Sequence, residues 1–114
     1  MPGKKQAGPK MTIPVQLVLR AMLAEPTREM YGLQICQEAS LPSGTIHPIL
    51  ARLEGLGWLE SRWEDAVPEQ EGRPRRRYYR LTKDGAERAR IALAQTTVTV
   101  TALSLRPRPA GGHA

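Results

Sequence analysis

The 114-residue chain has no phenylalanine and only five other aromatic residues: Tyr31, Trp58, Trp63, Tyr78 and Tyr79. Its core must therefore be aliphatic and small, and a chain of this length has room for one compact domain. Such a domain gains buried surface by pairing, so oligomerisation is expected. Cys36 is the single cysteine, which excludes an intramolecular disulfide and fits a reducing compartment. It reads as a small core residue. The two histidines are His47 and His113, the latter in the terminal tail, so neither a metal cluster nor a nucleophile–base pair is visible. There is no glycine-rich phosphate loop. The sequence does not read as an enzyme, and no cofactor or metal ligand is assigned. No apolar run approaches the ~20 residues that span a bilayer. No hydrophobic segment follows the Lys-containing start, and a cytoplasmic protein without a membrane partner is expected.

A net charge of +6 suggests a nucleic-acid partner, but Lys4, Lys5, Lys10, Arg106 and Arg108 supply five of those charges from the two ends. The middle is close to neutral, so overall charge is a weak argument for DNA. The local pattern is more pointed. Glu60–Glu71 carries five acids against Arg62, whereas Arg73–Arg80 carries five arginines and no acid.

The strongest pattern lies in SGTIHPILARLEGLGWL, from Ser43 to Leu59. Ile46, Ile49, Leu50 and Leu53, continued by Leu56, repeat at the spacing of one buried helix face. Ser43, Thr45, His47, Ala51 and Arg52 fall on the opposite face, short or polar enough to lie against a sugar–phosphate surface. Proline deep in a helix costs roughly 3 kcal/mol, so Pro48 is expected in the first turn, with Ser43 or Thr45 at the cap. Gly55-Leu56-Gly57 closes the helix, because glycine adopts the positive-φ conformation at little cost.

Upstream, residues 1–10 combine Pro, Gly and Lys with nothing to bury and read as a disordered basic tail. Thr12 and Pro14 open a first helix. Its main stripe is Val15, Val18, Leu19, Met22 and Leu23. Ile13, Leu17 and Ala21 form a second stripe, assigned to a subunit contact or to deeper burial within the monomer. A second helix is expected from about Met30 to Ala39, with Gly32, Ile35, Cys36 and Ala39 inward. Ser40–Ser43 is a tight connection, which makes the pair a helix-turn-helix candidate.

After Gly57 the period changes to two. Leu59, Ser61 and Trp63 alternate with Trp58, Glu60, Arg62 and Glu64 and read as a strand, Ala66–Pro74 as a loop and Arg75–Leu81 as a second strand, together a hairpin wing. Thr82 caps a last helix from about residue 83, with Ala86, Ala89 and Leu93 inward. Thr96–Leu105 is ambiguous: its β-branched residues favour strand, while Leu93, Val100 and Leu103 also fit a helical stripe. Residues 106–114 read as a second disordered tail, leaving 11–105 as the domain.

Guanidinium groups bond phosphate bidentately and enter narrow minor grooves. Arg73, Arg75, Arg76 and Arg77 are therefore assigned to DNA. One or two of the cluster, such as Arg80 near Glu60 or Glu64, would instead neutralise the acidic strand. Thr45 and His47 are the candidates for base edges, and Ser43 and Arg52 for phosphates.

The segments YGLQICQEA, SGTIHPILARLEGLGWLES and GRPRRRYYRLTKDG, spanning about Tyr31 to Gly85, resemble the winged helix-turn-helix domain of the PadR family of transcriptional regulators. The resemblance implies an α+β fold with three N-terminal helices, a two-stranded wing and a C-terminal dimerisation helix. It implies a homodimeric repressor with its third helix in the major groove and its wing on the adjacent backbone. Tyr31 of the YG opening and Gly44 of the S-G-T start join the DNA-binding set. Dimer contacts are expected from Ile13, Leu17, Ala21, Leu93, Val100 and Leu103. His47 stands where the family usually has tyrosine, and the C-terminal region is short. Double-stranded DNA carrying an inverted repeat is the expected partner, with any small-molecule effector unassigned. A winged-helix protein-interaction module is the alternative from another class. An RNA binder fits less well, because no aromatic platform for stacking bases is evident.

Overall fold

The computed structural model describes residues 8–65 and 69–104. Helix α1 (Ile13–Leu23) begins where expected: the Thr12 hydroxyl accepts the Val15 N–H at 3.3 Å, and Pro14 lies in the first turn. It buries Val15, Val18, Leu19 and Met22. Its second stripe stays outside, with Ile13 66% and Leu17 37% exposed.

The next element is a strand, not a helix. Met30 and Tyr31 form β1, and α2 (Gly32–Ala39) starts only after them. Met30 is fully buried, and extended backbone lets its side chain drop into the core while Tyr31 points the other way. Helix α2 buries Ile35, Cys36 and Ala39. It ends at Ser40, whose backbone is left-handed at φ 59°. The bonds from Ser40 N to Gln37 O (3.3 Å) and from Leu41 N to Cys36 O (3.0 Å) satisfy the last carbonyls.

Helix α3 (Ser43–Gly55) differs from expectation at its start. Pro42 is the N-cap, and no side chain caps the helix. The Pro42 carbonyl instead accepts from Thr45 N at 3.0 Å and Ile46 N at 3.1 Å, so the Ser43 and Thr45 hydroxyls are free of capping duty. Pro48 lies inside the helix rather than in its first turn. It has no N–H for the Gly44 carbonyl, and helical geometry continues through it. Gly57, at φ 81°, closes the helix as expected, with Trp58 N bonded to Leu53 O (2.9 Å) and Gly57 N to Glu54 O (3.0 Å). Ile46, Leu50 and Leu53 have no exposure, each worth about 1.5–3 kcal/mol of burial.

β2 (Leu59–Trp63) and β3 (Arg77–Leu81) pair antiparallel, and β1 adds to the other edge of β3. The sheet thus has three strands, and β3 begins two residues later than the alternation suggests. A 3₁₀ turn, Glu69–Glu71, lies in the connecting loop, of which residues 66–68 are outside the described residues. In this register Leu59 faces Leu81 and Ser61 faces Tyr79 toward the core, while Glu60 faces Arg80 and Arg62 faces Tyr78 on the outer side.

Helix α4 (Lys83–Ser104) resolves the ambiguous segment as helix through Ser104. The Thr82 hydroxyl accepts from Gly85 N at 2.8 Å and donates to Gly57 O at 2.8 Å, and Thr82 N donates to Trp58 O at 2.9 Å. The root of α4 is therefore bonded to the end of α3. Gly85 packs on the Trp58 backbone so closely that a Cβ would lie 2.6 Å from its carbonyl carbon. Leu93, assigned above to a dimer contact, is buried in the core of the single chain with Ala86 and Ala89. Val100 and Leu103 fall on the helical backbone of the distal half. The N-terminal boundary also moves: Pro9 is buried, and Gly8 lies against the Trp58 ring. Residues 1–7 and 105–114, which hold most of both expected tails, lie outside the described residues.

Candidate nucleic-acid interface

The outward face of α3 has a centre without long side chains. Gly44, Pro48, Ala51 and Gly55 follow one another at helical spacing, and all are exposed. Nothing approaches within 4 Å of where Gly44 or Gly55 would carry a Cβ. Thr45 and Arg52 line one flank of this strip and Ser43 and His47 the other, as the 100° advance per residue requires. Ser43, His47 and Arg52 are exposed and Thr45 is half-buried. The His47 ring lies against Gly32 at the start of α2, 3.4 Å from where a Cβ would stand. A larger residue at 32 would push the imidazole away from α2.

Tyr31 sits one residue before that contact and anchors an aromatic tier on the outer side of the sheet. The Arg76 guanidinium lies over its ring at 4.0 Å from the centroid. Tyr31 meets Tyr78 edge-on at 5.8 Å, and Arg62 covers Tyr78 at 5.3 Å. Arg62 in turn binds Glu29 through two bonds of 2.7 Å, which hold that carboxyl below its ordinary range. The tier holds the root of the wing beside the start of α2.

The arginine cluster divides by partner. Arg73 grips Glu64 bidentately at 2.8 and 3.0 Å and reaches Glu71 at 3.0 Å. Glu64 also accepts the Arg76 N–H at 3.0 Å. Its pKa is lowered to about 2, first by the Arg73 bonds and then by that backbone N–H. Arg73 is thus a strut of the wing, where a phosphate contact had been expected. Arg77 bonds Ser61 at 3.1 Å, approaches Glu54 at 3.6 Å and lies over Trp63 at 5.2 Å, so it too is engaged within the domain. Arg80 pairs with Glu60 at 2.7 Å, the neutralising role foreseen for it. Arg76 stacks without an acid on its guanidinium, and exposed Arg75 has no hydrogen bond or ion pair among the described residues. The pairings could not be read from spacing, because they depend on the hairpin register and on a loop of unspecified path.

A family model, the transcriptional regulator PadR-like family, matches residues 19–91. The chain belongs to the PadR-like family. No curated protein sequence matches this PadR-like chain. Among solved structures, a PadR family transcriptional regulator from Eggerthella lenta is 26% identical, with a TM-score of 0.64 over 81% of each chain. A PadR family regulator from Clostridium difficile shares the fold at 20% identity and TM-score 0.63, covering 79% of this chain and 94% of that one. BpsR of Bordetella bronchiseptica, whose DNA binding is regulated by 6-hydroxynicotinic acid, matches at 16% identity and TM-score 0.64, over 89% of this chain and 66% of its own. The PadR-like chain is therefore a DNA-binding transcription regulator of winged-helix fold, in a family of regulators rather than enzymes. No described helix is long and apolar enough to cross a membrane.

Proposed function

We propose that the protein is a homodimeric, sequence-specific repressor that acts in the cytoplasm by covering a promoter. Helix α3 enters the major groove. Its strip of Gly44, Pro48, Ala51 and Gly55 lets the backbone approach the groove floor, while Thr45 and His47 reach base edges from opposite flanks. Ser43 and Arg52 take phosphates, and Arg75 and Arg76 carry the wing onto the adjacent backbone or minor groove. Tyr31 contributes by holding Arg76 in place. The observation that carries this reading is the combination on α3 of an unobstructed centre and polar flanks whose side chains make no hydrogen bond or ion pair among the described residues.

Two copies pair through the exposed α1 stripe of Ile13 and Leu17, with Ala21 beside it, and through the distal half of α4. A dimer of this kind reads an inverted repeat with half-sites about one helical turn apart.

Selection from a random duplex-DNA library, followed by titration of enriched sites across a salt series, tests the proposal. An enriched inverted repeat is the expected result. No enrichment, with all binding lost on modest added salt, would leave electrostatic attraction alone and favour a protein-interaction module.

A further inference from the structure

A cavity of about 210 Å³ opens between the N-terminal segment, α1 and α3. Its walls are aliphatic, formed by Pro9, Val15, Ile49 and Leu53, and its rim carries Lys10 and Arg52. Apart from Thr12, whose hydroxyl caps α1, the walls offer no hydrogen-bonding side chain. Lys10 and Arg52 are exposed and make no hydrogen bond or ion pair among the described residues. An apolar hollow beneath two unpaired cations fits a ligand with a hydrocarbon body and one anionic head. A cavity of about 150 Å³ holds the six carbons of benzene, so this one accommodates about eight.

We propose that this cavity binds a medium-chain carboxylate, with its hydrocarbon chain against Pro9, Val15 and Ile49, over the buried Leu53, and its carboxylate on Arg52 and Lys10. Guanidinium and carboxylate pair bidentately, and an Arg52 so engaged is withdrawn from phosphate. The ligand is then an effector that lowers DNA affinity, a consequence that rests on the DNA-binding role proposed above for Arg52. The ligand competes for a residue of the interface itself, so no movement of the domain is required.

The test uses octanoate on the full chain, followed through the methyl resonances of Val15, Ile49 and Leu53. Octanol supplies the same body without charge, and inorganic phosphate the charge without a body. Saturable shifts at these methyls are expected with octanoate, with octanol and phosphate at least tenfold weaker. Arg52→Gln, on an exposed helix face, is expected to weaken octanoate at least fivefold and leave the remaining spectrum unchanged. Equal binding of octanol, an unaffected Arg52→Gln variant, or shifts spread evenly over the exposed Ile13, Leu17 and Ile91 would overturn the site. With duplex present, octanoate is expected to raise the Kd of the wild type several-fold and that of Arg52→Gln not at all. Duplex binding that ignores octanoate overturns the effector site alone. Octanoate bound at these methyls in a chain that never binds duplex overturns the DNA reading instead.

Discussion

At Gly85 a hydrogen is the largest side chain that the Trp58 backbone admits, since a Cβ would stand 2.6 Å from its Cα and carbonyl carbon. Backbone cannot swing aside as a flexible side chain can, so α4 would have to lift from the end of α3. Gly85→Ala is expected to cost about 2–3 kcal/mol, read as a lower urea midpoint. An unchanged midpoint would show that α4 steps away freely. Residues differ in how visible such roles are from sequence. Gly57 was legible because a glycine after an amphipathic run marks a helix end. The contact at Gly85 joins positions far apart in sequence and leaves no local pattern. Pro48 was misplaced because the rule against interior proline weighs a lost hydrogen bond, whereas here the loss falls on one carbonyl, that of Gly44, on the exposed face of the helix.

The wing shows the same division at the scale of an element. Its two long strands were legible from alternation, but β1 was not, because two residues are too few to display a period. Which arginines stay free was hidden as well, since only the β2–β3 register brings Arg73 to Glu64 and Arg80 to Glu60. Two expectations follow from those pairings. Glu64 titrates at about 2 when folded, against an ordinary value of 4.5. Its contribution is therefore complete above about pH 4.5 and is lost as pH falls toward 2. The stability difference between wild type and Glu64→Gln should be flat from pH 7 to 5 and shrink below 4.5; a difference that persists at pH 2 would break the link to Arg73. Phosphate contacts are read differently. Arg75→Ala and Arg76→Ala should each reduce the salt slope of duplex binding by about 0.9, while Arg80→Ala, already paired with Glu60, should leave it unchanged. A slope that drops with Arg80 and not with Arg75 would reverse the assignment.

For the molecule as a whole, the amphipathic count on α1 separated two stripes, and the structure buries one and leaves the other facing out. That outcome leaves room for a partner, because Ile13 and Leu17 form apolar surface unused by the chain's own core. Leu17→Asp places a charge there and is expected to shift sedimentation from dimer to monomer without altering the helical circular dichroism. A variant that still sediments as a dimer would remove α1 from the interface. Here too part of the reading needed coordinates: Leu93 fits a helical stripe that points equally well inward or toward a partner, and only the tertiary packing turns it inward.

The joint between α3 and α4 has a consequence for how two such molecules meet an operator. One residue, Thr82, separates β3 from α4, and it is bonded to the turn that ends α3, the helix proposed to read DNA. No slack separates the reading head from its shaft. In a dimer joined through α4, the distance and angle between the two heads are properties of a rigid lever of 22 residues, roughly 33 Å long. Removing one residue from that lever turns everything beyond it by about 100°. On the proposed dimer, the phasing of two half-sites would be set by the length of α4, and changes in the wing loop would leave it undisturbed.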